Sequence, residues 1–218
     1  MRFKLFQKLG SLEGLELVML LAALAVLAAL TVLAVRNAKR RPGTAQPQNR
    51  TRVLVYGALS MTLSFVLSYM KLFSMPFGGS ITLASMLPLM VFGYAFGAVP
   101  GFTASFGYAL LQIIQGAYIV HPIQFILDYF VAFTALGLAG CFPTSLPLGI
   151  AVSGTVRMLV STVSGAVFLD SSAEFGFSSP WAYSLAYNFL TVGVDTILCL
   201  LIALLPPVGR AIGRISRR

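Results

Sequence analysis

The feature that most constrains this chain is a series of apolar runs, several of them long enough to cross a lipid bilayer. A transmembrane helix needs roughly 17–25 predominantly apolar residues. Charged residues make up only 10% of the 218 residues, whereas a soluble domain usually carries about 25%. A chain so poor in charge cannot cover itself with a polar surface. The sequence therefore predicts an all-α, polytopic membrane protein that crosses the cell membrane several times.

The apolar runs predict seven helices, an N-terminal anchor followed by a core of six. The first run is too long for a signal peptide, so residues 1–35 are interpreted as a retained transmembrane anchor. A basic linker then occupies residues 36–52, a membrane domain residues 53–206 and a basic tail residues 207–218. The predicted core helices span 53–73, 81–97, 100–115, 123–142, 148–169 and 181–205.

The net charge of +9 comes largely from the linker and the tail. Lys and Arg accumulate in the cytoplasmic loops of membrane proteins, so both segments are expected in the cytoplasm. An even number of spans must then separate them, and six fits. The loops near 77–80, 116–122 and 170–180 are expected to face outside. These basic segments are expected to interact with the lipid bilayer and not with nucleic acid.

Small residues recur every four positions, at Gly93, Gly97, Gly101 and Ser105. Such a row is typical of close helix–helix contact in membranes. Glycine is also simply common in membrane helices, and Pro100 interrupts the row. Both interpretations remain open at this point.

Three ionisable side chains, Asp128, Arg157 and Asp195, fall inside the predicted core helices. Charged groups are costly in a membrane and usually face the protein interior or a cavity. Counting from the cytoplasmic helix ends, at about 1.5 Å per residue, puts Arg157 and Asp195 at similar depth. A structural ion pair between these two residues is expected.

Asp128 is predicted near the outer surface, where no basic residue of the core lies at the same depth. A carboxylate in that position requires a cation, a hydrogen-bonding network or a proton. Polar and aromatic residues are expected at this level or in the loop just outside it. They indicate either hydrogen bonding between helices or a pocket for a small cationic or aromatic solute. The candidate binding residues are Tyr118, His121, Gln124, Asp128, Tyr129, Ser161, Tyr183 and Asn188.

The sequence predicts no metal site, no cofactor and no enzymatic activity. The cysteines Cys141 and Cys199 lie in or beside apolar runs without metal-ligand spacing, and His121 is the single histidine. His121 alone is also consistent with an ordinary interfacial loop residue. No HExxH, DxD-type or GxxxxGK[ST] motif occurs, so the chain is not expected to hydrolyse ATP by the P-loop route.

Three sequence blocks resemble the thiamine-specific S component (ThiT, also called YuaJ) of energy-coupling factor (ECF) transporters. They are GGSITLASMLP at 78–88, GAYIVHPIQFILDYFVAFTALGLAG at 116–140 and SPWAYSLAYN at 179–188. The resemblance covers about 52–206 and implies a six-helix membrane subunit that binds a vitamin near the outer face. It also implies a transmembrane coupling protein and two cytoplasmic ATPases as partners. The family's binding positions fall on Tyr118, Asp128, Tyr129, Tyr183 and Asn188.

Two functions are therefore compared. The first is an S component that binds thiamine, or a related vitamin or precursor, at an outward-facing pocket for ATP-driven uptake. The alternative is a self-sufficient secondary carrier for a small cationic or aromatic solute, with Arg157 and Asp195 as coupling residues. Binding without transport by the chain alone favours the first, whereas uptake driven by an ion gradient favours the second.

Overall fold

The computed structural model describes residues 50–169 and 175–216. The predicted anchor and nearly all of the predicted linker lie outside these residues. Within them, seven helices follow one another in the chain, with one small β-hairpin after the first. The helices are α1 (Arg50–Tyr69), α2 (Leu87–Phe96), α3 (Ala98–Gly116), α4 (Pro122–Cys141), α5 (Leu146–Phe168), α6 (Pro180–Leu204) and α7 (Pro206–Ser216).

Among the described residues, α1, α4, α5 and α6 are long and apolar enough to cross a membrane. Helices α2 and α3 form an apolar pair, joined at Gly97, whose φ of 105° suits glycine. Pro100 lies in the first turn of α3, where its missing N–H removes no helical hydrogen bond. Helices α1 to α6 thus correspond to the predicted six-helix core.

The first two core helices are shorter than predicted because a β-hairpin separates them. Its strands are β1 (Lys71–Ser74) and β2 (Ser80–Thr82), and they pair in the antiparallel direction. Phe77, with a φ of 59°, lies in the predicted loop, whereas Ala84, with a φ of 53°, turns the chain where a helix was expected to begin. Hydropathy alone did not distinguish the strands of this hairpin from the ends of the adjoining helices.

Helices α4 and α6 each contain a wider, π-helical stretch. In α4 it covers Ile126–Val131, and in α6 it covers Phe189–Gly193. Such stretches are rare and are often found at functional sites. The first contains Asp128, and the second follows Asn188 directly. The two helices that carry most of the candidate residues are therefore widened at Asp128 and Tyr129 and directly after Asn188.

Helices α2 and α3 pack closely against each other and against the end of α4. A Cβ atom added to Gly101 would lie 2.8 Å from the Cα of Gly93. One added to Gly140 would lie 2.6 Å from the carbonyl carbon of Gly97. Both distances are too short for a real side chain. The row of small residues thus forms a close helix contact. This agrees with the first interpretation of the row and not with the general abundance of glycine in membrane helices.

The basic tail begins as helix α7, immediately after α6. Helix α6 ends at Leu204, and Leu205 is extended with a ψ of 130°. Pro206 then starts α7, as expected for proline in a first helical turn. Ile212 is buried, and α7 packs against α2. The sequence had indicated the charge of this segment but not its helical structure.

Candidate substrate-binding site

A cavity of about 250 Å³ lies between α3, α4, α5 and α6 and is lined also by the loop of the β-hairpin. Ligand pockets typically measure roughly 300–1,000 Å³, so this cavity suits a small solute. Most of its lining side chains are polar or aromatic. Seven of the eight candidate residues line it: Tyr118, Gln124, Asp128, Tyr129, Ser161, Tyr183 and Asn188.

Asp128 is held by a hydrogen-bonded glutamine one turn earlier in α4. The Gln124 amide donates to Asp128 Oδ2 at 2.8 Å and to the Tyr118 carbonyl at 3.2 Å. Gln124 Oε1 accepts from the Val120 N–H at 3.1 Å. The other carboxylate oxygen, Oδ1, is buried and has no hydrogen-bond partner within the described residues. This carboxylate is therefore fixed in place with one oxygen available.

Aromatic side chains line the same cavity as this carboxylate. The Tyr129 hydroxyl accepts from the Tyr118 N–H at 2.8 Å, which ties α4 to the preceding loop. Tyr183 stacks on Phe175, with ring centroids 5.2 Å apart, and Phe77 of the hairpin contacts the Tyr118 ring at 6.0 Å. We refer to Tyr118, Gln124, Asp128, Tyr129 and Tyr183 together as the Asp128 region.

Asn188 and Ser161 complete the predicted set from α6 and α5. Asn188 is buried, and its Nδ2 donates to the Ser184 carbonyl one turn earlier at 2.9 Å. The Ser184 hydroxyl donates to the Thr162 carbonyl at 2.8 Å, which joins α6 to α5. Ser161 lies close enough to Asp128 to interact with it. The structure thus brings polar groups from three helices to one cavity.

His121 is the exception among the candidate residues, because it does not line the cavity. Its Nδ1 accepts the Ile123 N–H at 3.1 Å and caps the first turn of α4. Its ring stacks on Phe168 at the end of α5, with centroids 4.8 Å apart. The first N–H groups of a helix need such acceptors. His121 therefore caps α4, and its role in binding remains a prediction that the cavity lining does not support.

Arg157 and Asp195 both line the cavity, but they have different partners. Asp195 Oδ2 accepts from the Thr82 hydroxyl at 2.8 Å, and Oδ1 accepts from the Ala84 N–H at 3.1 Å. The Arg157 guanidinium lies 4.1 Å from the centroid of the Phe133 ring. The direct ion pair expected from helix depth is therefore not formed. Counting depth could not reveal the hairpin, which supplies closer partners for Asp195.

Sequence reasoning missed several cavity residues. The Tyr187 hydroxyl accepts the Gly79 N–H at 2.8 Å and joins α6 to the hairpin loop. The Gln112 amide donates to the Tyr108 hydroxyl on α3. The available signal was spacing, because Tyr187 follows Tyr183 by four residues and Gln112 follows Tyr108 by four. Residues four apart share one face of a helix.

Comparison with known proteins gives consistent results. Residues 54–212 match the family described as thiamine transporter protein (Thia_YuaJ). The chain is 35% identical over 146 residues to the thiamine transporter ThiT of Bacillus subtilis, an alignment covering 59% of this chain and 75% of that protein. It is 26% identical over 137 residues to ThiT of Lacticaseibacillus paracasei, covering 54% and 68%, respectively.

The fold is also similar to that of a solved structure. ThiT from Listeria monocytogenes superposes with a TM-score of 0.60 at 21% identity, covering 78% of this chain and 96% of that one. The predictions of an all-α, multi-pass membrane protein and of a transporter instead of an enzyme are confirmed. Because the family match spans most of the chain, this protein belongs to the ThiT family of thiamine transporter proteins.

Proposed function

We propose that this chain binds thiamine in the cavity, with Asp128 as its principal polar contact. The observation that carries the proposal is a buried carboxylate with one oxygen available, surrounded by tyrosine rings. Thiamine has a positively charged thiazolium ring and an aminopyrimidine ring with an amino donor. A carboxylate suits either the charge or the amino group, and tyrosine faces suit both rings.

The other cavity residues have supporting roles in this proposal. Gln124 positions Asp128 through its 2.8 Å hydrogen bond. Tyr118, Tyr129 and Tyr183 supply aromatic surface, and Asn188 and Ser161 supply hydrogen-bonding groups. These roles agree with the names of the curated relatives, which are thiamine transporters.

We also propose that the cavity opens to the outside of the cell. The hairpin loop and residues 116–118 line it, and they lie at the opposite helix ends from Arg50, Arg52 and the basic helix α7. Basic segments favour the cytoplasmic side. Substrate would then enter from the outside, as uptake requires.

Transport is proposed to require an ECF coupling protein and two ATPases. The 218 residues contain no GxxxxGK[ST] motif, so ATP-driven uptake needs energy from other chains. The chain alone is expected to bind thiamine without accumulating it. The complete assembly is expected to concentrate thiamine at the expense of ATP.

Proteoliposomes test both parts of the proposal. Vesicles with the purified chain alone should bind labelled thiamine but not accumulate it. Adding the coupling protein and both ATPases, with ATP on the cytoplasmic side, should produce uptake against a gradient. Absence of binding would contradict the assignment of the site. Uptake by the chain alone in a proton or sodium gradient would instead establish a secondary carrier.

A further inference from the structure

Two basic segments that are far apart in sequence lie at the same end of the helical bundle. The guanidinium of Arg52, at the start of α1, lies 5.9 Å from the ring centroid of Phe96, the last residue of α2. Helix α7 packs against the same α2, and its Ile212 belongs to the core cluster that contains Phe96. The start of α1 and helix α7 therefore both pack against α2.

Helix α7 separates apolar from basic positions. Val208 and Ile212 pack on the core. Arg210 is exposed, and Arg214 occupies the position one turn further along. Because α7 directly follows a helix of bilayer length, its basic residues are expected near the boundary between the membrane and water.

The described part of the chain offers no acidic residue at this end. None occurs in α1, α2 or α7, and none occurs in residues 196–218. The two aspartates of the described residues, Asp128 and Asp195, line the cavity instead. Positive charge at the surface of a membrane attracts anionic lipid headgroups. The charge of this surface is thus complementary to that of an acidic bilayer.

We propose that a basic surface, formed by Arg50 and Arg52 of α1 with Arg210 of α7, binds the headgroups of anionic phospholipids. Guanidinium groups match phosphate oxygens in geometry as well as in charge. Phosphatidylglycerol carries a net negative charge, whereas phosphatidylcholine carries none. The basic surface therefore discriminates between these two lipids, and it holds the bundle end against the acidic leaflet.

Native mass spectrometry of the full-length protein tests the proposal. The protein in detergent is titrated with phosphatidylglycerol or with phosphatidylcholine, and the retained lipids are counted. Phosphatidylglycerol should bind more tightly than phosphatidylcholine, and added salt should weaken only the binding of phosphatidylglycerol. Arg210→Gln and Arg50→Gln should each weaken the binding of phosphatidylglycerol about fivefold. Lys71→Gln, at the hairpin end, is the matched control and should change it less than twofold.

Three results would overturn the proposal. The first is that the wild-type protein retains both lipids equally. The second is that Lys71→Gln weakens the binding of phosphatidylglycerol as much as Arg210→Gln does. In the third, the arginine variants would keep phosphatidylglycerol but lose uptake when the coupling protein and ATPases are present, which would assign the surface to a protein partner. Because Arg210 is exposed, the single variants should fold, and their thermal midpoints verify this.

Discussion

The two aspartates in the helical bundle line the same cavity, yet their carboxylates are bonded differently. Both oxygens of Asp195 accept hydrogen bonds, from Thr82 and from the Ala84 N–H. Asp128 uses one oxygen for Gln124, and its other oxygen has no partner in the described ranges. A buried acceptor without a partner is costly unless something else supplies a donor. The difference supports the proposed roles, a structural one for Asp195 and a ligand-binding one for Asp128.

The partners of the two aspartates also differ in their distance along the chain. Asp128 is bonded within its own helix, by the residue four positions earlier. Asp195 is bonded by residues more than 100 positions earlier, in and after strand β2. Ala84 reaches it from a backbone with a φ of 53°, a conformation that non-glycine residues rarely adopt. Asp195 therefore joins the hairpin to α6, whereas the hydrogen bond of Asp128 to Gln124 lies within α4.

Replacing Asp195 should have the largest effect on stability. In Asp195→Ala, two buried hydrogen bonds are lost and two donors are left without an acceptor. The free energy of unfolding should fall by about 2–4 kcal/mol. Thermal unfolding of the detergent-solubilised protein measures this change. An unchanged midpoint would mean that the hairpin is held by other contacts and would remove the distinction between the two aspartates.

Replacing Asp128 should affect ligand binding in preference to stability. Asp128→Asn keeps the shape of the side chain and removes its charge. Thiamine affinity should fall roughly ten- to a hundredfold, because a charge-assisted contact in a desolvated pocket is lost. Calorimetry measures the affinity, and the midpoint without ligand should stay near that of wild type. Undiminished thiamine binding would exclude Asp128 as the main contact.

Thr82→Val sharpens the interpretation of Asp195. Valine keeps the volume of threonine but cannot donate to the carboxylate, so stability should fall by about 1 kcal/mol. In the Asp195→Ala background the same change should cost less, because the bond to Asp195 is already absent and only the 2.8 Å bond between Thr82 and Ser85 is lost. Full additivity of the two losses would show that Thr82 and Asp195 act independently.

His121→Ala should have the smallest effect. It removes the cap of α4 and should cost about 1 kcal/mol of stability or less, as is typical for such caps. Thiamine affinity should stay within about twofold, since the ring lies outside the cavity lining. Calorimetry on this variant serves as the control for Asp128→Asn. A loss of affinity comparable to that of Asp128→Asn would show that His121 contributes to thiamine binding.

The bilayer-length helices could be predicted closely because the length of an apolar run is a local property. The run predicted at 123–142 is helix Pro122–Cys141, and that at 148–169 is helix Leu146–Phe168. The hairpin could not be predicted in this way. Its strands are short, and the hairpin depends on positive φ angles and on pairing between residues apart in sequence.

In the candidate site too, contacts within one helix could be predicted, whereas contacts between distant parts of the chain could not. Gln124 was within reach of sequence reasoning because it precedes Asp128 by one helical turn. The partners of Asp195 and the bond between Tyr187 and Gly79 join residues more than 100 positions apart. Neither helical spacing nor depth contains that information. The ion pair between Arg157 and Asp195 was expected for this reason, since depth was the only coordinate available.

The π-helical stretch of α4 determines where the chain tolerates a change in length. A stretch of this kind is equivalent to one residue inserted into an α-helix, and one residue corresponds to about 100° of rotation. Deleting a residue between 126 and 131 would rotate Gly140 by that angle relative to the first turn of α4. Either the orientation of Asp128 or the contact of Gly140 with Gly97 would then be lost. Insertions and deletions among homologous chains are accordingly expected outside this part of α4.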